Sequence, residues 1–196
     1  MRNSTVIRQL SLSDTKNAAD LHLKTIPGIS SLLGKSYLNK FYQMLVKNKK
    51  HMSFAIYVDN YLRGLVTATE DILETSQELH RFFNLNSYLT LFLKIINLQI
   101  SPLAIYSRVM FEKYQKKSYK KPYLSIVTLC VDPKYQRHGF GSKLIKSVLA
   151  EAKKRDKNII YVDARADNKK ANKFYLKLGF KKQRKIFGNA IFYKRP

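Results

Sequence analysis

A single cysteine, Cys130, stands among the 196 residues, so no disulfide can form within the chain. Packing alone must hold the fold, which fits a reducing, cytoplasmic setting. Acids are scarce as well: 13 Asp and Glu face 37 Lys and Arg, a formal charge of +24. Such an imbalance favours anionic partners (phosphorylated cofactors, nucleotide-linked substrates, nucleic acid, acidic lipid) and repels cationic ones at long range. A lysine-rich proteome would give the same excess, so charge ranks ligands without naming one. The four histidines, His22, His51, His80 and His138, are scattered, and with one cysteine they offer no zinc spacing, so no metal is expected. Residues 1–20 hold no apolar core of the signal-peptide kind. The longest apolar stretch, Tyr88–Leu98, runs 11 residues and is interrupted by Lys94, too short to span a bilayer. No repeat or low-complexity tract is present.

What is there is a 45% apolar chain of the length of one domain, residues 1–196, with one elaborated insert at about 70–120. "TVIRQLSLSD" reads as a strand ending in a helix cap near Ser13 or Asp14. The helix that follows, to about Lys24, would turn Ala18, Leu21 and Leu23 inward. "TIPGISSLLG" reads as a loop, and the next helix places Leu38, Phe41, Tyr42, Leu45 and Val46 on one face. A hairpin turns at Asp59-Asn60. The insert suggests two helices parted near Pro102, with more apolar residues than one buried stripe requires. Extra core, a homodimer face, a substrate wall and a membrane-surface helix are its alternatives. Leu124–Val131 is a continuously apolar, hence central, strand. An amphipathic helix, the strand "NIIYVDA", a short helix capped by Asp167 or Asn168 and stopped by Gly179, and two strands turning at Gly188-Asn189 complete the chain.

Between the apolar strand and the amphipathic helix lies "PKYQRHGFGSK", Pro133–Lys143. A strand, a glycine-rich turn and a helix make an anion site: first-turn N–H groups lack internal partners, and the helix dipole adds about half a positive charge. Three phosphate-binding templates compete. The P-loop fails, because Gly141 is followed by Ser142-Lys143 and not by Lys-Ser/Thr. The dinucleotide fingerprint finds Gly139, Gly141 and an acid, Asp163, after the next strand, but has Leu144 where the third glycine belongs. The pattern Gln/Arg-x-x-Gly-x-Gly/Ala is met at every fixed position by Gln136-Arg137-His138-Gly139-Phe140-Gly141.

A second element lies one helix and one strand downstream: Asn168, Ala171, Phe174, Tyr175, Lys177, Gly179 and Phe180 in the order Asn-x-x-Ala-x-x-Phe-Tyr-x-Lys-x-Gly-Phe. Together, over about residues 123–187, the two resemble the GNAT superfamily of acetyl-CoA-dependent N-acetyltransferases. The resemblance implies an α/β (α+β) fold with a mixed, mostly antiparallel sheet of six to seven strands, splayed between strands 4 and 5 and flanked by helices. It implies acetyl-CoA as cosubstrate, its pantetheine arm along Leu129, Cys130 and Val131. The pyrophosphate would rest on Gln136, Arg137, His138, Gly139, Phe140, Gly141 and Ser142, with Asn168 binding cofactor or capping its helix. Tyr175 would contact the cofactor and protonate the leaving sulfur, a role for which a phenol of pKa about 10 is suited.

The general base is less plain. Many relatives carry a Glu early in the fourth strand, where this chain has Ser125; Glu70 or Asp71 is the substitute expected here, against the alternative of a solvated strand end. A covalent role for Cys130 is disfavoured by its apolar strand and lack of a histidine partner. His138 is expected to serve as a backbone carrier. The acceptor would be a small-molecule primary amine, with an amino sugar or nucleotide-linked amino sugar suited to the positive charge. A protein N-terminus, a non-catalytic CoA-binding module and a nucleic-acid binder are the alternatives, the last disfavoured because "FKKQRKIF" and "AIFYKR" read more simply as closing strands.

Overall fold

The computed structural model describes residues 4–83 and 85–196, residue 116 by its backbone only. β1 (Thr5–Gln9) leads through a 3₁₀ turn to α1 (Thr15–Thr25), α2 (Ile29–Leu32) and α3 (Gly34–Lys47). The hairpin of β2 (His51–Val58) and β3 (Tyr61–Thr69) follows. Its turn residues Asp59 and Asn60 both take positive φ, 51° and 67°, the left-handed pair a two-residue turn needs. The insert then forms α4 (Ile72–His80), α5 (Leu85–Ile96) and α6 (Pro102–Ser118). β4 (Tyr123–Val131), α7 (Phe140–Lys154), β5 (Ile159–Arg165), α8 (Lys169–Lys177), β6 (Lys181–Ile186) and β7 (Asn189–Lys194) complete the order.

The strands make one seven-stranded sheet in the order β1-β2-β3-β4-β5-β7-β6. Only β4 and β5 run parallel; every other pair is antiparallel. α7 and α8 cover one face through Phe140, Leu144, Ile145, Val148 and Tyr175, against Ile56, Val66, Leu124 and Val162. α1 and α3 cover the other through Ala18, Leu21, Leu38, Phe41, Tyr42 and Leu45, against Ala55, Leu65 and Cys130. A third cluster ties α6 to the sheet: Phe111 and Tyr119 pack with Tyr123, Tyr161 and Ile191, and the rings of Tyr119 and Tyr161 stack 3.9 Å apart.

Several local expectations change. Leu23 is exposed, and Ala19 and His22 take the inward places on α1; the helix meets the sheet one residue around from the face its leucines suggest. The segment expected as a loop contains the short α2, and the insert holds three helices where two were expected. The final hairpin turns at Phe187-Gly188 (φ 46° and 75°), one residue earlier than expected, so Asn189 already pairs in β7. No helix among the described residues is long and apolar enough to cross a membrane.

Candidate functional site

The site begins with an irregularity in β4. On the β3 side Thr67 pairs with Thr128 and Ala68 with Ile126, so Val127 is an extra, unpaired residue, a β-bulge. The packing records the same step: Leu124 and Ile126 face α7 before it, Leu129 and Val131 after it. On the other side β4 pairs with β5 only from Tyr123↔Ile159 to Ile126↔Val162. Beyond that point the two strands part. β5 continues, bonded to β7 through Asp163↔Ile191 and Arg165↔Asn189, and β4 continues, bonded to β3 through Gly64↔Val131. Each strand therefore turns a backbone edge without ladder partners into the gap. Main-chain groups need partners, and a ligand with amides of its own can supply them as an added strand does.

At the wide end of the gap the chain makes the anion cradle. Asp132 caps a 3₁₀ turn at Pro133–Tyr135, accepting from the Lys134 N–H at 3.1 Å. Lys24 and Arg63 hold its carboxylate at 3.0 and 3.6 Å. Burial alone would raise the Asp132 pKa; the Lys24 and Lys134 hydrogen bonds outweigh it and keep the group ionised. Gln136 Nε2 donates to the Val131 carbonyl at 3.2 Å and lashes the loop to the strand end. His138 Nδ1 lies 2.8 Å from the Gln136 carbonyl oxygen, a local contact within the bend. Arg137 and Gly139 take φ of 65° and 77°, which aims the following amides along the axis of α7. Gly139 is glycine because of that conformation. Gly141 is glycine because of proximity, since a Cβ there would lie 3.1 Å from the Phe174 ring. The first bond into the helix runs from the Lys143 N–H to the Gly139 carbonyl, 3.0 Å, which leaves the N–H groups of Phe140, Gly141 and Ser142 free for an anion.

Tyr175 of α8 is buried among Phe174, Phe180 and Phe192 at ring distances of 5.4 to 5.8 Å. Its phenol donates no hydrogen bond to the described residues. Burial raises its pKa, with a smaller contribution from Asp163, so Tyr175 keeps its proton at any physiological pH. Cys130 faces the opposite side of β4, fully buried, its thiol pushed up to about 12 by burial. It contributes backbone to the gap and no nucleophile. Asn168 caps α8: the Ala171 N–H donates to its Oδ1 at 3.0 Å. Of the two roles expected of Asn168, the cap is the one this hydrogen bond makes.

Glu70 is the expectation that the placement opposes. It follows the end of β3 and is gripped by Lys157 at 2.7 Å and Arg155 at 3.1 Å, where β4 and β5 are zipped together. Burial would raise its pKa, but those two cations outweigh it and lower it. A carboxylate held ionised by two cations is a poor proton acceptor. Asp71 is spent similarly, capping α4 and pairing with Lys121. The carboxylate that does sit at the gap is Asp163, the first residue of β5 beyond the last β4 pair. Its Oδ1 accepts from the buried Gln115 of α6 at 3.2 Å. Burial raises its pKa, and its charge is felt at the Tyr175 phenol. Sequence reasoning placed Asp163 only as the ribose acid of a failed dinucleotide template. The usable signal was its position directly after the apolar run Ile159–Val162.

This geometry matches a known family. Residues 104–180 match the acetyltransferase (GNAT) family model. Over that stretch, less than half of its length, the chain is similar to the GNAT family. Human N-alpha-acetyltransferase 30 is 32% identical over 72 residues, 37% of this chain and 19% of that protein, so the match spans about a fifth of the relative's length. Among solved structures, the PaiA N-acetyltransferase of Thermoplasma acidophilum, in complex with coenzyme A, superposes with a TM-score of 0.64 at 15% identity over 98% of this chain and 99% of that one. Arabidopsis thaliana NAA60, in complex with acetyl-CoA, gives 0.62 at 16% identity over 98% of each chain. At these identities the structures speak for the fold, a GNAT sheet opened between β4 and β5.

Proposed function

We propose that this GNAT domain is an acetyl-CoA-dependent N-acetyltransferase acting by direct transfer to a primary amine. The observation that carries this is the parting of β4 from β5 beyond Ile126 and Val162, with the free α7 amides following the end of β4. Acetyl-CoA supplies the activated acetyl thioester. The chain does the rest. The amides of Phe140, Gly141 and Ser142 bind the pyrophosphate, and Arg137 and Lys143 add charge. The free edge of Leu129–Val131 orients the pantetheine arm and can present an N–H to the thioester carbonyl oxygen. Tyr175 holds the proton that the departing sulfur needs. Asp163, not Glu70, takes the proton that the amine gives up: a carboxylate of raised pKa is a better base near neutral pH than one held ionised by cations.

The acceptor favoured by the +24 charge is a primary amine on an anionic or neutral carrier, such as an amino sugar or a nucleotide-linked amino sugar. A second reading, the α-amine of a protein, is favoured by the match to N-alpha-acetyltransferase 30. The buried, unpaired Cys130 suits the cytoplasm under either.

Two measurements test this. Acetyl-CoA at 100 times its Kd should add about 2.7 kcal/mol of stability, read as a rise in Tm; no rise at millimolar ligand would overturn the cosubstrate. A thiol-release assay against amino sugars, nucleotide sugars, polyamines and peptides then assigns the acceptor. Turnover with polyamines alone would overturn the charge argument.

A further inference from the structure

The insert carries a helix that is inside out. On α5, Leu85, Tyr88, Leu89, Phe92, Leu93 and Ile96 recur at helical spacing and form one stripe. Every one of them is exposed, from 48% at Leu93 to 83% at Leu85, and α5 buries no residue fully. The half-buried positions are Ser87, Thr90, Leu91, Lys94 and Ile95. Asn86, Ser87 and Thr90 meet Ser36, Tyr37 and Lys40 of α3 around a cavity of about 240 Å³. The side that faces the protein is mixed, Ser87, Thr90 and Lys94 with Leu91 and Ile95, and the continuous apolar stripe faces away. Leu98, 92% exposed at the tip after α5, and Leu103 and Tyr106 on the outer side of α6 add apolar groups to the same insert. A folded chain rarely leaves so many large apolar side chains in water unless something covers them.

The charge of the insert says what. Residues 81–121 contain eight Lys and Arg and one acid, Glu112, and Glu112 is already paired with Arg108 at 2.9 Å. A second copy of a chain of charge +24 would be repelled from this face. A soluble polyanion would use the cations but has no call for the leucines. An anionic bilayer surface uses both: leucines and phenylalanine enter the acyl boundary, tyrosines suit headgroup depth, and lysines meet the headgroups. We propose that the α5 face, with the α5–α6 tip, docks this protein on the surface of an anionic lipid membrane without crossing it. α6 then carries Leu103 and Tyr106 on the docking side and Gln115, the partner of Asp163, on the inner side. The proposal does not depend on the identity of the acceptor or on catalysis.

The test is co-sedimentation of the full chain with phosphatidylcholine vesicles, with and without about 30% phosphatidylglycerol, at physiological salt. Binding is expected to the anionic vesicles and to be weak on pure phosphatidylcholine. The double variant Leu89→Asp, Phe92→Asp should lower partitioning at least about tenfold, with an unchanged Tm because both side chains are already in water. Undiminished vesicle binding by that variant would show attraction by charge alone and overturn the docking face. A vesicle-free dimer in sedimentation equilibrium, dispersed by the same two substitutions, would overturn it in favour of a second copy.

Discussion

The two halves of β4 are built from the same kinds of residue and behave oppositely. From Tyr123 to Ile126 the strand is bonded to β5 at every residue, to β3 at Ser125 and Ile126, and buried throughout. Past the bulge at Val127, from Thr128 to Val131, it keeps β3 and loses β5. Glu70, Arg155 and Lys157 clamp the closed end; Asp163, Tyr175 and the α7 amides surround the open one. The contrast teaches that the apolar run does two jobs, anchoring the sheet in its first half and offering unpaired backbone in its second, and that stability and chemistry are segregated along one strand.

Substitutions can break this contrast at either end. Tyr175→Phe, at the open end, should lower kcat about 100-fold or more while leaving the acetyl-CoA-induced Tm shift intact; an unchanged kcat would remove Tyr175 as the acid. Leu124→Ala, at the closed end, should cost about 2–5 kcal/mol in chemical denaturation, because Leu124 is fully buried between β4 and α7. If instead kcat fell with stability unchanged, the segregation would be wrong. Asp163→Asn should lower kcat and raise stability together. Its native pKa is raised, so ionisation opposes the fold, and that penalty is absent below the unfolded-state pKa and grows as pH rises through the native one. The gain in Tm should therefore be present at pH 7 and fade in acid; a loss of Tm at pH 7 would count against it. The smallest effect is expected of Glu70→Gln, about 1 kcal/mol or less with kcat unchanged. Because the native pKa of Glu70 is lowered, its contribution holds above the unfolded-state pKa and is lost as pH falls through the native one. A large drop in kcat would return Glu70 to the reaction.

Much of this was legible in the chain. The run Leu124–Val131, the Gln136–Gly141 bend and the Asn168–Phe180 pattern fixed the order strand, cradle, helix, strand, helix, because each rests on residues near in sequence. What was not legible depends on distance or direction. The cations that hold Glu70 ionised lie 85 and 87 residues away. Asp163 gains its role from where a neighbouring strand stops pairing. The α5 stripe shows its spacing plainly, but spacing does not say whether a face looks in or out. The bulge at Val127 carries no glycine or proline to announce it.

That bulge has a consequence for how the gene can vary. Any side chain at 127 leaves the residue count, and so the extra turn of backbone, in place. Removing the codon is different. Ile126 and Thr128 would become neighbours, the alternation of inward and outward residues would run on unbroken, and β4 would be free to zip against β5 along its whole length. The aperture is one residue wide in sequence terms, and a three-base deletion there is the shortest path from an opened sheet to a well-folded one with nowhere to put a ligand.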